Sequence, residues 1–238
     1  MFIGHFAVAL AARRAAPRAS LGWFFAASQL PDLLWPLLVL ADVERVRIAP
    51  GDTAVTPLAF DHYPWSHSLL SAVLLGVGFA ALYRTRHRER RGAALVALLV
   101  VSHWVLDWIT HRPDMPLMPG SDVRVGLGLW QSVPWTLVVE TAMFAAGAWL
   151  YATATVARGR KGRLIFWSLV GFLLLTELAN VLSPPPPNVT AVAVGGLATW
   201  LLVAWAAWAD RHRVDVADAT TDARVAPARH ETGAARAS

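Results

Sequence analysis

Long apolar runs separated by clusters of arginine dominate this chain, and they restrict it to a helical membrane protein. Six runs predict membrane-spanning helices, at residues 20–41, 68–83, 92–110, 134–156, 164–182 and 189–209. A spanning helix needs about 20 mostly apolar residues, because the hydrocarbon core of a bilayer is about 30 Å thick. The composition agrees, since 56% of the residues are hydrophobic.

The two ends of the chain differ from these runs. Residues 1–12 are apolar and predict a helix roughly 18 Å long at 1.5 Å per residue, too short to cross the bilayer. We therefore predict an all-α membrane protein with about six transmembrane helices and a short, half-inserted N-terminal helix. Residues 1–213 form the polytopic helical membrane domain, and residues 214–238, which have few large apolar side chains, predict a disordered cytoplasmic tail.

The positive charges define the orientation that we predict in the cytoplasmic (inner) membrane. Basic clusters precede the first run and follow the second, fourth and sixth runs. The positive-inside rule then places the N-terminal and C-terminal basic regions in the cytoplasm. The end of the first span, the start of the second and the end of the third meet on the extracytoplasmic side. The net charge of +5 thus reflects membrane topology, and we expect no nucleic-acid partner.

The end of the third run carries an ionisable stripe. His103, Asp107 and His111 are four residues apart, so a helix places them on one face. Pro113 follows and predicts the end of that helix. Ionisable groups inside an apolar helix are costly and usually mark function. The alternative is a polar helix end at the membrane surface.

The predicted topology brings further ligand-type side chains to the same side. Asp32 follows Pro31 in the first span, His67 opens the second, and His5 lies at a comparable depth on the short helix. We predict an outward-facing pocket, the His–Asp cluster, whose metal ligands are His5, Asp32, His67, His103 and Asp107. Asp32 and Asp107 are also the predicted catalytic residues. His62, His111 and Asp114 are the predicted rim or second shell. Taken singly, each position also fits an interfacial or structural role.

The residue types in the cluster suit a divalent metal ion. The chain has no cysteine, so imidazole and carboxylate are the available strong ligands. We expect zinc, with manganese as the alternative. A divalent ion brings the pKa of bound water toward neutrality and so makes hydroxide available. No Gly-x-Ser-x-Gly elbow or glycine-rich phosphate loop occurs in the sequence, which favours metal-activated water over a serine nucleophile or ATP-driven chemistry.

Short motifs in the first half of the chain resemble those of a bacterial family of integral-membrane, metal-dependent hydrolases. The motifs are Gly4-His5, Leu30-Pro31-Asp32, His62 with Ser66-His67-Ser68, and Ser102-His103 with Leu106-Asp107. They occur in the family's order over roughly residues 1–119. The resemblance implies that His5, Asp32, His62, His67, His103 and Asp107 are metal-binding or catalytic positions. The family often has a second aspartate where this chain has Leu34, which weakens the case for a two-metal site.

Three functions are compatible with this sequence. The favoured one is a metal-dependent hydrolase that cleaves an ester or phosphoester of a small amphipathic or lipid-linked substrate, with membrane lipids around it. A proton or metal-ion transporter is the alternative, because Glu140 and Glu177 add ionisable groups within two further spans. The third is a non-catalytic scaffold with a structural metal.

Overall fold

The computed structural model describes residues 1–225 and contains the predicted bundle of apolar helices. Five helical segments are long and apolar enough to cross a membrane: α5 (Leu69–Arg86), α6 (Arg90–Thr110), α7 (Val133–Ala154), α8 (Gly159–Leu182) and the segment Val189–Arg211, which comprises α9 (Val189–Leu197) and α10 (Thr199–Arg211). A sixth span is present if the bent pair α2 (Leu21–Ser28) and α3 (Leu30–Leu40) is counted as one. The predicted all-α membrane class is confirmed.

The first span is bent where the sequence predicts one continuous helix. The axes of α2 and α3 differ by 53°, and Gln29 lies between them. Pro31, in the first turn of α3, has no amide hydrogen to donate, so it suits the start of a helix and disfavours the interior of one. The bend places Asp32 in the first turn of α3.

The short N-terminal helix, α1 (Ile3–Ala15), is enclosed by other helices. It packs mainly against α7, with further contacts to α2 and α6, and Ile3 and Phe6 are fully buried. Gly147 of α7 allows α1 to approach closely, since an added Cβ at Gly147 would collide with the backbone of Ala7 in α1. Small residues allow such an approach between helices in membranes. His5 is therefore held inside the protein.

Short strands and turns cover one end of the bundle, within the regions that the sequence predicts as polar connections. β1 (Arg45–Ile48) pairs antiparallel with β2 (Leu58–His62), and Val46 is opposite Phe60. This hairpin packs on a second apolar core that includes Trp35, Tyr63 and Trp104. Next come α4 (Pro64–His67), β3 (Met115–Pro116), β4 (Arg124–Val125) and a 3₁₀ turn (Leu129–Gln131).

At the opposite end of the bundle, the structure differs from the predicted disordered tail. β5 (Thr155–Ala157) pairs antiparallel with β6 (Arg213–Asp215), and α11 (Val216–Val225) follows. Arg13 of α1 holds this segment, since its Nη1 lies 3.0 Å from Asp215 Oδ1 and its Nε lies 3.3 Å from Asp210 Oδ1. Order thus extends through residues 214–225, because backbone pairing and a buried ion pair fix the start of the segment. Residues 226–238 lie outside the described residues.

Candidate metal centre

The five residues predicted as metal ligands lie together at the end of the bundle covered by the β1–β2 hairpin. Asp107 is central, because its Oδ1 lies 3.1 Å from His5 Nε2 and its Oδ2 lies 3.1 Å from His103 Nε2. Asp32 Oδ1 lies 3.2 Å from His67 Nε2. Longer approaches of 3.8 Å join His67 to Asp107 and His103 to Asp32. Side chains from four helices therefore meet at one point.

Within the His–Asp cluster, the ligand atoms form two overlapping groups. His5, His103 and Asp107 make one group, and Asp32, His67 and His103 make the other. Within each group the ligand atoms lie within 4.8 Å of one another. His103 belongs to both groups, and its ring stacks on that of His5 with centroids 3.8 Å apart.

The protein fixes the proton on the imidazole of His103. His103 Nδ1 lies 2.7 Å from the main-chain oxygen of Ser28, at the bend of the first span. A carbonyl oxygen only accepts hydrogen bonds, so Nδ1 carries the hydrogen. The neutral ring then turns the lone pair of Nε2 toward Asp107, and within residues 1–225 this buried Nε2 has no hydrogen-bond partner. A lone pair facing a carboxylate is unfavourable, and either a proton on Nε2 or a metal cation between the two atoms relieves the repulsion.

His67 is fixed in the same way by a relay of side chains. Ser66 Oγ donates to Glu44 Oε2 at 2.6 Å, and it lies 2.6 Å from His67 Nδ1. Because the hydroxyl hydrogen is used on Glu44, the neutral His67 ring donates its Nδ1 hydrogen to Ser66. Its Nε2 then also presents a lone pair to Asp32. Such outer contacts set the tautomer of metal-binding histidines.

Glu44 directly precedes β1 and is buried. It is 1% exposed, and its Oε1 accepts from the amides of Trp65 and Ser66 at 2.8 and 2.9 Å. Sequence reasoning missed this residue, because Glu44 lies in a polar connection and reaches Ser66 only through the fold. In the structure Ser68 caps α5, accepting from the amide of Ser71.

The start of the chain enters the same polar region. The amino group of Met1 donates to Asp107 Oδ1 at 2.5 Å and to Thr110 Oγ1 at 3.1 Å. Glu140 of α7 accepts from the amides of Phe2 and Gly4 at 2.8 and 3.1 Å. Glu140 therefore satisfies free N–H groups at the start of α1, where a negative charge is favourable.

Two of the predicted rim residues form a separate network at the edge of the cluster. His111 Nδ1 and the Tyr63 hydroxyl each donate to Asp114 at 3.0 Å. Burial opposes ionisation of Asp114, but the hydrogen bonds from His111, Tyr63 and Arg112 outweigh it and lower the pKa of this carboxyl. Burial, together with the Asp114 carboxylate, raises the pKa of Tyr63 well above its usual range. The third rim residue, His62, is exposed at the end of β2.

The cluster combines a closed side with an open side. The side chain of Asp32 is 36% exposed, whereas those of His5, His67, His103 and Asp107 are at most 6% exposed. Asp32 borders a cleft of about 510 Å³ between α3, α8 and the α9–α10 segment, which we call the apolar cleft. Its other walls include Trp35, Phe172 and Trp205. Imidazole and carboxylate groups suit zinc or manganese, and a molecule in the cleft reaches the cluster at Asp32.

Comparisons with known proteins complete the description of the site. The model of the YdjM inner membrane protein family matches residues 1–209, a range that contains all five residues of the His–Asp cluster. This agrees with the membrane protein predicted from the apolar runs. No curated protein and no solved structure matches the chain.

Proposed function

The chain belongs to the YdjM inner membrane protein family, and we propose that it is a metal-dependent hydrolase with the His–Asp cluster as its active centre. The proposed cofactor is a divalent ion, zinc or manganese, held by His5, Asp32, His67, His103 and Asp107. One observation carries the proposal. His103 and His67 both have Nδ1 committed to protein acceptors, so both Nε2 atoms face the two carboxylates as acceptors. A bound cation resolves that arrangement.

The proposed reaction is hydrolysis of an ester or phosphoester by water. A bound divalent ion would supply a water molecule of lowered pKa. Asp32 is the proposed general base, because it is the one cluster carboxylate with a partly exposed side chain and it borders the apolar cleft. Asp107 is enclosed by His5, His103 and the Met1 amino group, so it holds the ligand set in position.

The apolar cleft suits an amphipathic or lipid-linked substrate. Aromatic and aliphatic side chains form most of its walls, and Asp32 lies at its polar end. Ligand sites typically combine apolar walls with a few placed polar groups. We propose that a hydrocarbon chain lies in the cleft and that the scissile bond reaches Asp32. We further propose, from the positions of the basic clusters, that this end of the bundle faces the extracytoplasmic side.

Metal content provides the first test. The protein purified in non-ionic detergent is expected to hold about one equivalent of zinc or manganese by elemental analysis. His103→Ala is expected to lose the metal, whereas His87→Ala, at an exposed position beyond α5, retains it. Folded wild-type protein without metal after reconstitution with zinc and manganese would contradict the proposal.

Turnover provides the second test. We expect metal-dependent hydrolysis of an ester or phosphoester that carries an alkyl chain, and loss of that activity in Asp32→Asn with the fold retained. Analogues without the alkyl chain are expected to react more slowly, because they forgo burial in the cleft. Proton or metal flux in liposomes that persists in Asp32→Asn, without hydrolysis by the wild type, would support transport instead.

A further inference from the structure

A second cavity adjoins the apolar cleft and contains two carboxylates. This acidic cavity, of about 430 Å³, lies between the β1–β2 loop, the end of α8 and α9, and Glu140 and Glu177 line it. Phe60 and Trp130 are aromatic parts of its wall. The two spaces adjoin, because four residues line both: Phe2, Asn180, Val192 and Gly195.

Glu177 is the unusual residue in the acidic cavity. It lies in the spanning helix α8 and is only 5% exposed. In residues 1–225 it has no hydrogen-bond or ion-pair partner. Carboxylates inside membrane spans are costly, and they normally face a cavity or pair with another group. Glu177 faces a cavity but lacks the pairing group.

The side chains around the acidic cavity supply no cation. No lysine, arginine or histidine lines it in the described part of the chain. Met1 lines the cavity, and its amino group is bound to Asp107 and Thr110. Glu140 is already bound by the amides of Phe2 and Gly4. Among the residues described, Glu177 therefore has no cationic side chain to pair with in the cavity, and a ligand cation would supply that partner.

We propose that the acidic cavity binds the organic ammonium group of a membrane amphiphile whose hydrocarbon chain lies in the apolar cleft. Aromatic walls and carboxylates together recognise alkylammonium groups. A small hard metal ion would require a shell of several oxygen ligands, whereas this cavity is walled largely by apolar side chains. The identification of this amphiphile as the substrate rests on the proposed function, but binding of the ammonium group does not.

The test is calorimetric titration of the purified full-length protein in maltoside micelles. Octyltrimethylammonium is the probe, tetramethylammonium is the head group alone, and octyl glucoside is the uncharged amphiphile. The wild type is expected to bind octyltrimethylammonium saturably, with about one site and tenfold or more tighter than either comparison compound. If octyl glucoside binds as tightly as octyltrimethylammonium, the site does not recognise the positive charge. If tetramethylammonium binds as tightly, the site does not recognise the hydrocarbon chain. Either result would overturn the proposal.

Two variants locate the site. Glu177→Gln preserves shape and is expected to weaken octyltrimethylammonium binding about tenfold or more, whereas Asp122→Asn, an exposed carboxylate beyond α6, leaves it unchanged. Gly195→Leu is expected to fill part of the space where the acidic cavity and the apolar cleft adjoin. The leucine fits, because no atom lies within 4 Å of an added Cβ at this position. Gly171→Leu is the control, because an added Cβ there also has no atom within 4 Å. Unchanged binding in both Glu177→Gln and Gly195→Leu would refute the site.

Metal content separates this inference from the proposed function. Glu177→Gln is expected to retain the wild-type metal content, because Glu177 belongs to neither ligand group. If cation binding depends on Glu177 in a protein that holds no metal, the ammonium site stands and the hydrolase proposal fails. If the protein holds metal and hydrolyses the ester but cation binding is unchanged in Glu177→Gln, the hydrolase proposal stands and the ammonium site fails.

Discussion

Replacement of Glu44 by glutamine tests whether the protein sets the tautomer of His67. Glu44 Oε1 accepts two amide hydrogens, from Trp65 and Ser66, so the glutamine carbonyl is expected to keep that side. The new amino group then faces Ser66 Oγ and donates to it. The Ser66 hydroxyl must turn its hydrogen to His67 Nδ1, and the ring proton moves to Nε2. A protonated Nε2 has no lone pair for a metal ion.

The size of the effect follows from the hydrogen bonds that would be lost. To present a free Nε2 in the Glu44→Gln protein, His67 must leave one buried donor or acceptor in the relay without a partner. Such a loss costs about 1–3 kcal/mol, which weakens metal affinity by roughly 5- to 150-fold. This range contains the 10- to 100-fold effect that outer-shell changes typically have on metal affinity.

The assay is competition for zinc between the purified protein and a chromophoric chelator, with thermal unfolding followed in parallel. Glu89→Gln is the matched control, because Glu89 accepts a hydrogen bond from Tyr83 at 3.2 Å, outside both ligand groups. Ser66→Ala removes the relay without reversing it, so its affinity is expected to fall between those of wild type and Glu44→Gln. Zinc affinity of Glu44→Gln within twofold of wild type, in folded protein, would refute the tautomer argument.

Three further predictions concern stability and the limits of the site. Gly147→Leu is expected to reduce thermal stability by about 1–3 kcal/mol or more, because its side chain would collide with Ala7 of α1; unchanged unfolding would contradict the close packing. Arg13→Ala is expected to cost about 1.5–3 kcal/mol, because it removes charged hydrogen bonds to the partly buried Asp210 and Asp215, whereas Arg45→Ala breaks an exposed ion pair and should cost at most about 1 kcal/mol in the same denaturation assay. His62→Ala is expected to keep wild-type zinc affinity because His62 is exposed; a tenfold loss of zinc affinity would show that His62 acts on the metal site.

The sequence predicted the membrane class and the shared helix face of His103 and Asp107, because both depend on local patterns. Apolar length indicates a span whatever the rest of the chain does, and side chains four residues apart share a helix face. The structure places Asp32, His67 and His5 near this pair. The topology predicted from the basic clusters also places these remote residues on one side of the membrane.

The parts that the sequence did not reveal depend on contacts between distant segments. Glu44 reaches Ser66 only after the β1–β2 hairpin has formed, and no local pattern marks that contact. The partial order of the predicted tail depends on Arg13, which lies near the other end of the chain. The bend after Ser28 was signalled only by Pro31, and proline within a membrane span is also compatible with a continuous helix.

The bend in the first span connects the two features that a membrane hydrolase needs. On one side of it, the Ser28 carbonyl fixes the His103 tautomer, and on the other side Asp32 borders the apolar cleft. A polar centre therefore borders an apolar cleft, which is the route for substrate in our proposal. Along α1 toward Arg13, Phe6 and Leu10 are at most 1% exposed and belong to the main apolar core. This arrangement is the reason that we propose chemistry on a membrane-dissolved substrate rather than passage of an ion through the bundle.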